Sequence, residues 1–506
     1  MEFFLLSSFF FLLLLVSVVV VGRSGRRGSD GRTFGPRHHP IIGCMIDFRK
    51  NSHRTLDWYT SMLKDSPTNT IVVWRFGTRR NIVTANQENV EYILKTNFQN
   101  YPKGEPLKEH FRDLLGTGIF NVDGEMWFKQ RKLASHEFTT KCLRDTLVKS
   151  LQSETENRLL PLLKTAMENS SVIDMQEVLT RFAFDVICDI SFGYDLGLLK
   201  NGLPASEFAS AYDTASEICI KRVRGIFFPA AWKVKRFFHI GSERILRDKV
   251  RIIHQTIEDL IKKRIDDESE TKLIDGGRND FLSRLISSGN SIETTRDMVI
   301  SFILAGRDTS SSALTWFFYL ITLHPNIQTL ILKESFDLTG ENSSTNIYQN
   351  LKEMKFLEAA LMESIRLYPP VSWDSKHAVS SDVLPDGTLV GKGDRVTFFP
   401  YGMGRIEKLW GKNWSEFDPC RWLTVSEDKK KELAWVSPYK FPVFQAGPRI
   451  CLGKEMAMIQ MKYVAVSVLR EFELRRTTDE IPTFIPMMTS QMSGGFNVLF
   501  NRNQRY

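Results

Sequence analysis

The sequence predicts a mainly α fold with a minor β part, preceded by a single N-terminal transmembrane helix. Three observations carry that prediction. Helical periodicity dominates from residue 86 to about residue 365. The stretches 70–83 and 382–399 instead carry β-type signals. Phe3–Val21 is apolar apart from three serines and holds no charge, close to the ~20 residues that cross a bilayer as a helix.

The N-terminal stretch reads as an uncleaved anchor over residues 1–22. Arg23, Arg26 and Arg27 follow it, and Glu2 is the only charge before it. Positive flanks stay cytosolic, so the remainder of the chain is expected on the cytosolic side of the endoplasmic reticulum membrane. The rival, a cleaved secretory signal, has its basic flank on the wrong side and lacks a small-residue cleavage site. Residues 23–43 are rich in Gly, Arg and Pro. Phe34-Gly35-Pro36-Arg37 and Pro40-Ile41-Ile42-Gly43 read as a stiff hinge, because proline fixes φ and stops helices. No convincing linker divides 44–506, which reads as one large domain.

Within that domain Ile71–Phe76, a turn at Gly77 and Asn81–Val83 read as a hairpin. Segments 86–96, 124–137, 141–168, 174–191, 205–221, 241–266 and 293–323 read as helices, and a further helix opens at Lys454. Gly276 and Gly277 mark a surface loop, and Pro385-Asp386-Gly387 a turn. Arg224–Phe238 mixes aromatics with bases. It fits a segment dipping into a membrane surface and equally a buried loop with a helix start.

Composition narrows the function. Net charge is +8, but the basic residues are spread out and no nucleic-acid motif is present, so no nucleic-acid partner is expected. Six cysteines lie far apart without a Cys-x-x-Cys pair, which argues against a zinc site or a disulfide framework.

The chemistry gathers at Phe444-Gln445-Ala446-Gly447-Pro448-Arg449-Ile450-Cys451-Leu452-Gly453. Cys451 sits next to a helix start, where the helix dipole favours thiolate. A thiolate wrapped in backbone suits the axial position of a haem iron. A buried cysteine in a turn is the ordinary alternative. In 293–323, Ala305-Gly306-Arg307-Asp308-Thr309 places Gly and Thr inside a helix that tolerates both poorly. That predicts a locally opened ladder, unless Thr309 merely bonds back to its own helix. Asp308 and Thr309 together are equipped to pass protons.

The ten-residue pattern, Phe-x-x-Gly-x-Arg-x-Cys-x-Gly with every position filled, resembles the haem loop of the cytochrome P-450 monooxygenases. The resemblance implies the cytochrome P-450 fold, haem b held by Cys451 as the iron's axial ligand, and Phe444 and Gly447 of the same loop as further cofactor-binding residues. Asp308 and Thr309 become the acid–alcohol pair for O–O cleavage. Trp127 and Arg131, at i and i+4, become haem propionate holders with Arg449 and Lys376; His377 could do the work of Lys376. Glu363, Arg366 and Arg421 become a buried charge network under the loop. Two electrons come from NADPH through a separate flavoprotein reductase, since the chain lacks a nucleotide fingerprint of its own. Lys129, Lys132 and Lys454 could form a basic face for that partner, or be ordinary solvated lysines.

Four further runs, Asp123–Phe138, Val371–Lys376, Asp386–Val390 and Tyr401–Arg405, resemble the plant fatty-acid hydroxylase clan, most closely family ninety-four. That implies a hydrophobic substrate and attack at the end of a long chain. The first expectation is omega-hydroxylation of a fatty acid. Oxidation of a jasmonoyl–amino-acid conjugate comes second, and side-chain hydroxylation of a sterol or steroidal-alkaloid precursor third. Gly118, Ile119, Phe120, Phe302, Val371 and Met488 are the expected channel residues, again by resemblance. A haem-thiolate isomerase or lyase and a non-catalytic haem carrier are the rival classes.

Overall fold

The computed structural model describes residues 34–138, 146–200, 203, 205–224, 231–271, 280–339, 347–425 and 431–503. The expected anchor, residues 1–22, lies outside them, as do the Gly276–Gly277 loop and residues 225–230. Among the described residues no helix is long and apolar enough to cross a membrane.

The helix Ile292–Leu323 organises the molecule. Ser291 caps it by accepting the Thr294 N–H. Its 32 residues span about 48 Å at 1.5 Å each. Most of them are buried, so it is a core helix rather than a surface one. Labelled in chain order, the elements that frame it are α1 (Glu105–Leu115), α2 (Gly124–Ser135), α3 (Met175–Phe192), α4 (Glu207–Arg224), α5 (Ser242–Thr271), α6 (Ile292–Leu323), α7 (Lys355–Leu367) and α8 (Lys454–Glu471). The largest apolar core runs through α3, α6, α7 and α8.

A second core belongs to a four-stranded sheet. Its strands are β1 (Thr70–Val73), β2 (Asn81–Thr84), β3 (Asp374–His377) and β4 (Arg395–Phe398), in the order β1-β2-β4-β3. The expected hairpin is present, with Ile71 opposite Val83. β4 runs parallel to β2 and antiparallel to β3, with His377 opposite Arg395 and Asp374 opposite Phe398. Residues 34–43 of the expected hinge lie along this sheet. The Val72 N–H donates to the Phe34 carbonyl at 2.8 Å, and His38 packs on Trp74.

The expected helices at 174–191, 205–221, 241–266 and 293–323 coincide with α3 to α6. The expected helix at 141–168 differs. Residues 139–145 lie outside the described residues, and Val148–Glu168 is widened by a π-type turn over Thr155–Leu159. α1 is absent from the sequence reading, because Gly104, Pro106 and Gly116 punctuate a helix of only 11 residues. After residue 230, Ala231–Phe237 forms a short helix. It buries Trp232 against the Arg222 guanidinium and leaves Val234, Phe237 and Phe238 exposed.

Candidate active site

The cysteine loop is two tight turns, Pro442–Phe444 and Gly447–Arg449, followed by Cys451 and the Gly453 cap of α8. The Cys451 N–H donates to the Phe444 carbonyl at 2.8 Å, which closes the loop. Gly447 has φ +62°, and a Cβ there would stand 2.0 Å from the Leu94 carbonyl oxygen. Only glycine satisfies both demands.

Cys451 is accessible, and what it meets is the interior cavity, since it lines that cavity with Phe444, Ile450 and Leu452. Enclosure raises its thiol pKa, opposed by the Gly453 N–H, Arg131 and Lys454. The expected thiolate bias of the helix start is therefore outweighed by desolvation. A bound iron would favour the thiolate over the thiol.

Ala305, Gly306, Thr309, Ser310 and Ala313 of α6 line the same cavity. The predicted opening of the helix is not found: α6 is continuous from Ile292 to Leu323. Instead the Thr309 hydroxyl donates to the Ala305 carbonyl at 2.7 Å. Ser311 and Thr315 bond back in the same manner, so hydroxyls decorate the ladder without breaking it.

Asp308 does not line the cavity. It faces Arg307 at 3.5 Å, and Arg307 reaches Asp213 of α4 at 2.6 Å. Burial pushes the Asp308 carboxyl up to about 6, with Arg307 pulling the other way. The structure thus brings Thr309 to the cavity with Cys451 and leaves its acidic neighbour one layer behind.

On the cavity edge Arg131 donates to the Ile450 carbonyl at 2.7 Å, and Arg449 to Asp123 at 2.8 Å. Trp127 is buried behind them, with the Arg449 guanidinium 4.4 Å from its ring centroid. Lys376 stands a layer further back. It is outside the lining, and its ammonium is 2.8 Å from Asp374. His377 is also outside the lining, its ring bonded to the Lys103 carbonyl. Lys103, Asp374 and Arg395 do line the cavity, and sequence reasoning missed all three. Asp374 and Arg395 lie in two short strands and Lys103 in an irregular segment, none of which carries a local signal for the cavity.

Glu363 and Arg366, both fully buried, pair through two 2.7 Å bonds. Arg421 Nε reaches Glu363 at 3.2 Å, and the Trp422 indole donates to it at 2.8 Å. Trp422 packs on Phe441, at the foot of the cysteine loop. The three charges meet as a satisfied buried network.

Of the expected channel residues, Ile119, Phe120, Phe302, Val371 and Met488 line the cavity. Gly118 does not; a Cβ there would fall 2.2 Å from the Ser301 hydroxyl, so it serves close packing of this loop on α6. The cavity encloses about 410 Å³, within the range of small-molecule sites.

Among the described residues no cluster of three or more His, Cys, Asp or Glu side chains could hold a bare metal ion. One cysteine sulfur on the cavity wall, with two guanidinium groups on its edge, instead fits an iron porphyrin carrying two propionates.

The comparisons agree with that fit. The family model for cytochrome P450 matches residues 34–500. Cytochrome P450 94B1 of Arabidopsis thaliana is 48% identical over 93% of this chain and 92% of its own. Cytochrome P450 94A1 of Vicia sativa is 43% identical over 92% of this chain and 90% of its own. The crystal structure of the cytochrome P450DA heme domain superposes with a TM-score of 0.77 at 19% identity, over 93% of this chain and 97% of that one. At that identity it speaks for the fold alone. Coverage and identity of this order, on a site with this donor set, mean that the chain belongs to the cytochrome P450 family, most similar to plant family ninety-four, and is a haem-thiolate monooxygenase fed with electrons from NADPH through a reductase.

Proposed function

We propose that the chain hydroxylates the terminal or near-terminal carbon of a long-chain fatty acid. The observation that carries this reading is the cavity: Ile119, Phe120, Phe302, Val371 and Met488 give it apolar walls between α1 and Cys451, with cations at its margin. Burying an alkyl chain stabilises the complex by about 0.8 kcal/mol per CH2. Few polar groups then fix its direction.

Cys451 would hold the haem iron and Trp127, Arg131 and Arg449 would steady the propionates, while Lys376 neutralises the nearby Asp374 carboxylate that would otherwise repel them. When bound, the haem supplies activation of O2 for insertion of one oxygen atom into a C–H bond. Thr309 orients and relays a proton at its Oγ1, and Asp308 supplies it from the α4 side. The apolar walls exclude bulk water. Glu363, Arg366 and Arg421 keep the cysteine loop in place.

Lys129, Lys132 and Lys454, all exposed, form the basic docking face for an acidic reductase. Residues 1–22 anchor the chain once in the endoplasmic reticulum membrane. Residues 23–43 are the hinge, and 44–506 form the cytosolic catalytic domain. Exposed Val234, Phe237 and Phe238 would rest against the bilayer.

A jasmonoyl–amino-acid conjugate is the second reading, favoured by the same cations, since it too carries a carboxylate. Microsomes bearing the protein, supplied with NADPH and each substrate class in turn, test the reading. Terminal hydroxylation of the fatty acid is expected. Turnover of a sterol alone sinks it, and turnover without NADPH would favour the lyase class.

A further inference from the structure

We infer that Arg395 is the anchor for the substrate's carboxylate. Arg395 opens β4 and lines the cavity. Its Nε donates to the Ser375 hydroxyl at 2.9 Å. That hydroxyl is itself tied to Thr397, and Thr397 to Asn81, so one edge of the guanidinium plane is pinned. The two Nη groups have no protein acceptor among the described residues.

The other cations on the cavity are all engaged. Lys103 donates to the Phe120 carbonyl at 2.9 Å. Lys108 is 2.6 Å from Glu105 and 3.4 Å from Asp123. Arg131 and Arg449 are spoken for by Ile450 and Asp123. Asp374, whose field reaches Arg395, is committed to Lys376 at 2.8 Å and Gln445 at 2.7 Å. Arg395 is left as a pre-oriented fork with two free prongs, the geometry that takes a carboxylate in two parallel bonds. Leaving such a charge enclosed without a counter-ion is costly.

Its position suits a head group rather than the reacting end. Phe398, at the far end of β4, sits opposite Asp374, and Asp374 is bonded to Gln445 of the cysteine loop. Three residues of strand, at ~3.3 Å each, set the Arg395 backbone on the order of 10 Å beyond Phe398, and its guanidinium reaches back along β4 only as far as the Ser375 hydroxyl. A carboxylate held there directs an apolar chain along Val371 and Phe302 toward Cys451 and Thr309.

The inference rests on the fatty-acyl reading of this cavity and names the polar group that selects it. Fatty acids and acyl–amino-acid conjugates share that group, whereas a sterol lacks it.

The test is binding and turnover by the holoenzyme of a long-chain fatty acid, its methyl ester and an N-acyl amino acid, for wild type, R395Q and R395K. Wild type should prefer the acid to the ester. R395Q should bind the acid about 30-fold or more weakly, change ester affinity by less than about threefold, and retain its haem. R395K keeps the charge without the fork and should fall between. Whichever carboxylate loses more affinity in R395Q identifies the natural head group.

Equal losses for acid and ester, or an unchanged preference for the acid, overturn the assignment while leaving fatty-acyl hydroxylation standing. Loss of haem from R395Q overturns it too, by assigning the guanidinium to the cofactor. Should R395Q not fold, the wild-type ratio of acid to ester and R395K decide, and indifference of wild type refutes the anchor. Wild-type turnover of a sterol alone defeats the underlying reading itself.

Discussion

The Thr309 hydroxyl donates to the carbonyl of Ala305, one turn earlier in α6, at 2.7 Å. That bond fixes the hydroxyl's position on the wall of the cavity that Cys451 also lines. It also leaves the oxygen's lone pairs free to accept a proton or a water.

Thr309→Ala should therefore leave folding and haem binding intact while NADPH consumption loses its link to product. Product per NADPH is expected to fall by about tenfold or more, the lower range of proton-transfer effects being ~100-fold. Thr309→Ser, which restores the hydroxyl, should recover most of the coupling. Product and NADPH measured in the same reaction check this, and full coupling in the alanine variant removes Thr309 from proton transfer.

Asp308 gives the pH dependence. Burial raises its carboxyl from 3.8 to about 6, so the folded state binds this proton more tightly than the unfolded chain. The group's favourable contribution is present at low pH and is lost as pH rises from about 4 through 6. Asp308→Asn cannot ionise. The stability of wild type relative to the variant should decline across that window, by up to about 3 kcal/mol. Thermal unfolding of both proteins at several pH values reads the difference. Wild-type stability that stays level or rises with pH relative to the variant contradicts the assignment.

Glu363 and Arg366 share a fully buried pair. Glu363→Ala strips the counter-charge from Arg366 and Arg421 together. Removing one partner of a buried pair costs about 3–5 kcal/mol. The variant should lose haem or unfold at markedly lower temperature, whereas Glu363→Gln, which keeps two polar atoms in place, should lose less. Melting curves with haem content measured in parallel distinguish the two.

Gly447→Ala tests the loop. Its Cβ has to displace the Leu94 carbonyl at 2.0 Å, in a left-handed conformation. Thiolate ligation, read from the absorbance of the haem, should be lost or made heterogeneous, although Cys451 itself is unchanged. Gly387→Ala, also left-handed but with open space around it, should leave the haem spectrum alone.

Much of the site was legible because its parts are local. The cysteine loop is ten consecutive residues, and α6 announces itself by one long periodic run capped at Ser291. The i, i+3 spacing of Glu363 and Arg366 puts both charges on one helix face, and the resemblance implied their network with Arg421. What the sequence hid depends on long-range register. Arg395 meets Ser375 across a strand pair, and Asp374 meets Gln445 across 71 residues. No local pattern encodes either contact. Lys376 is a propionate holder only by resemblance; in the structure it shares a strand face with Asp374 and is spent on that carboxylate at 2.8 Å, outside the cavity lining. The opened helix failed for another reason. A threonine satisfies its hydroxyl within the ladder at no cost to continuity, so a Gly and a Thr in one turn do not force a break.

The most direct test of the account supplies a long-chain fatty acid, NADPH, reductase and isotopically labelled O2 to the full-length protein, and locates the label in the product by mass spectrometry. The account predicts one labelled oxygen atom per product molecule, on or next to the terminal carbon, and no product without NADPH. Unlabelled product, or product formed when NADPH is withheld, would contradict it.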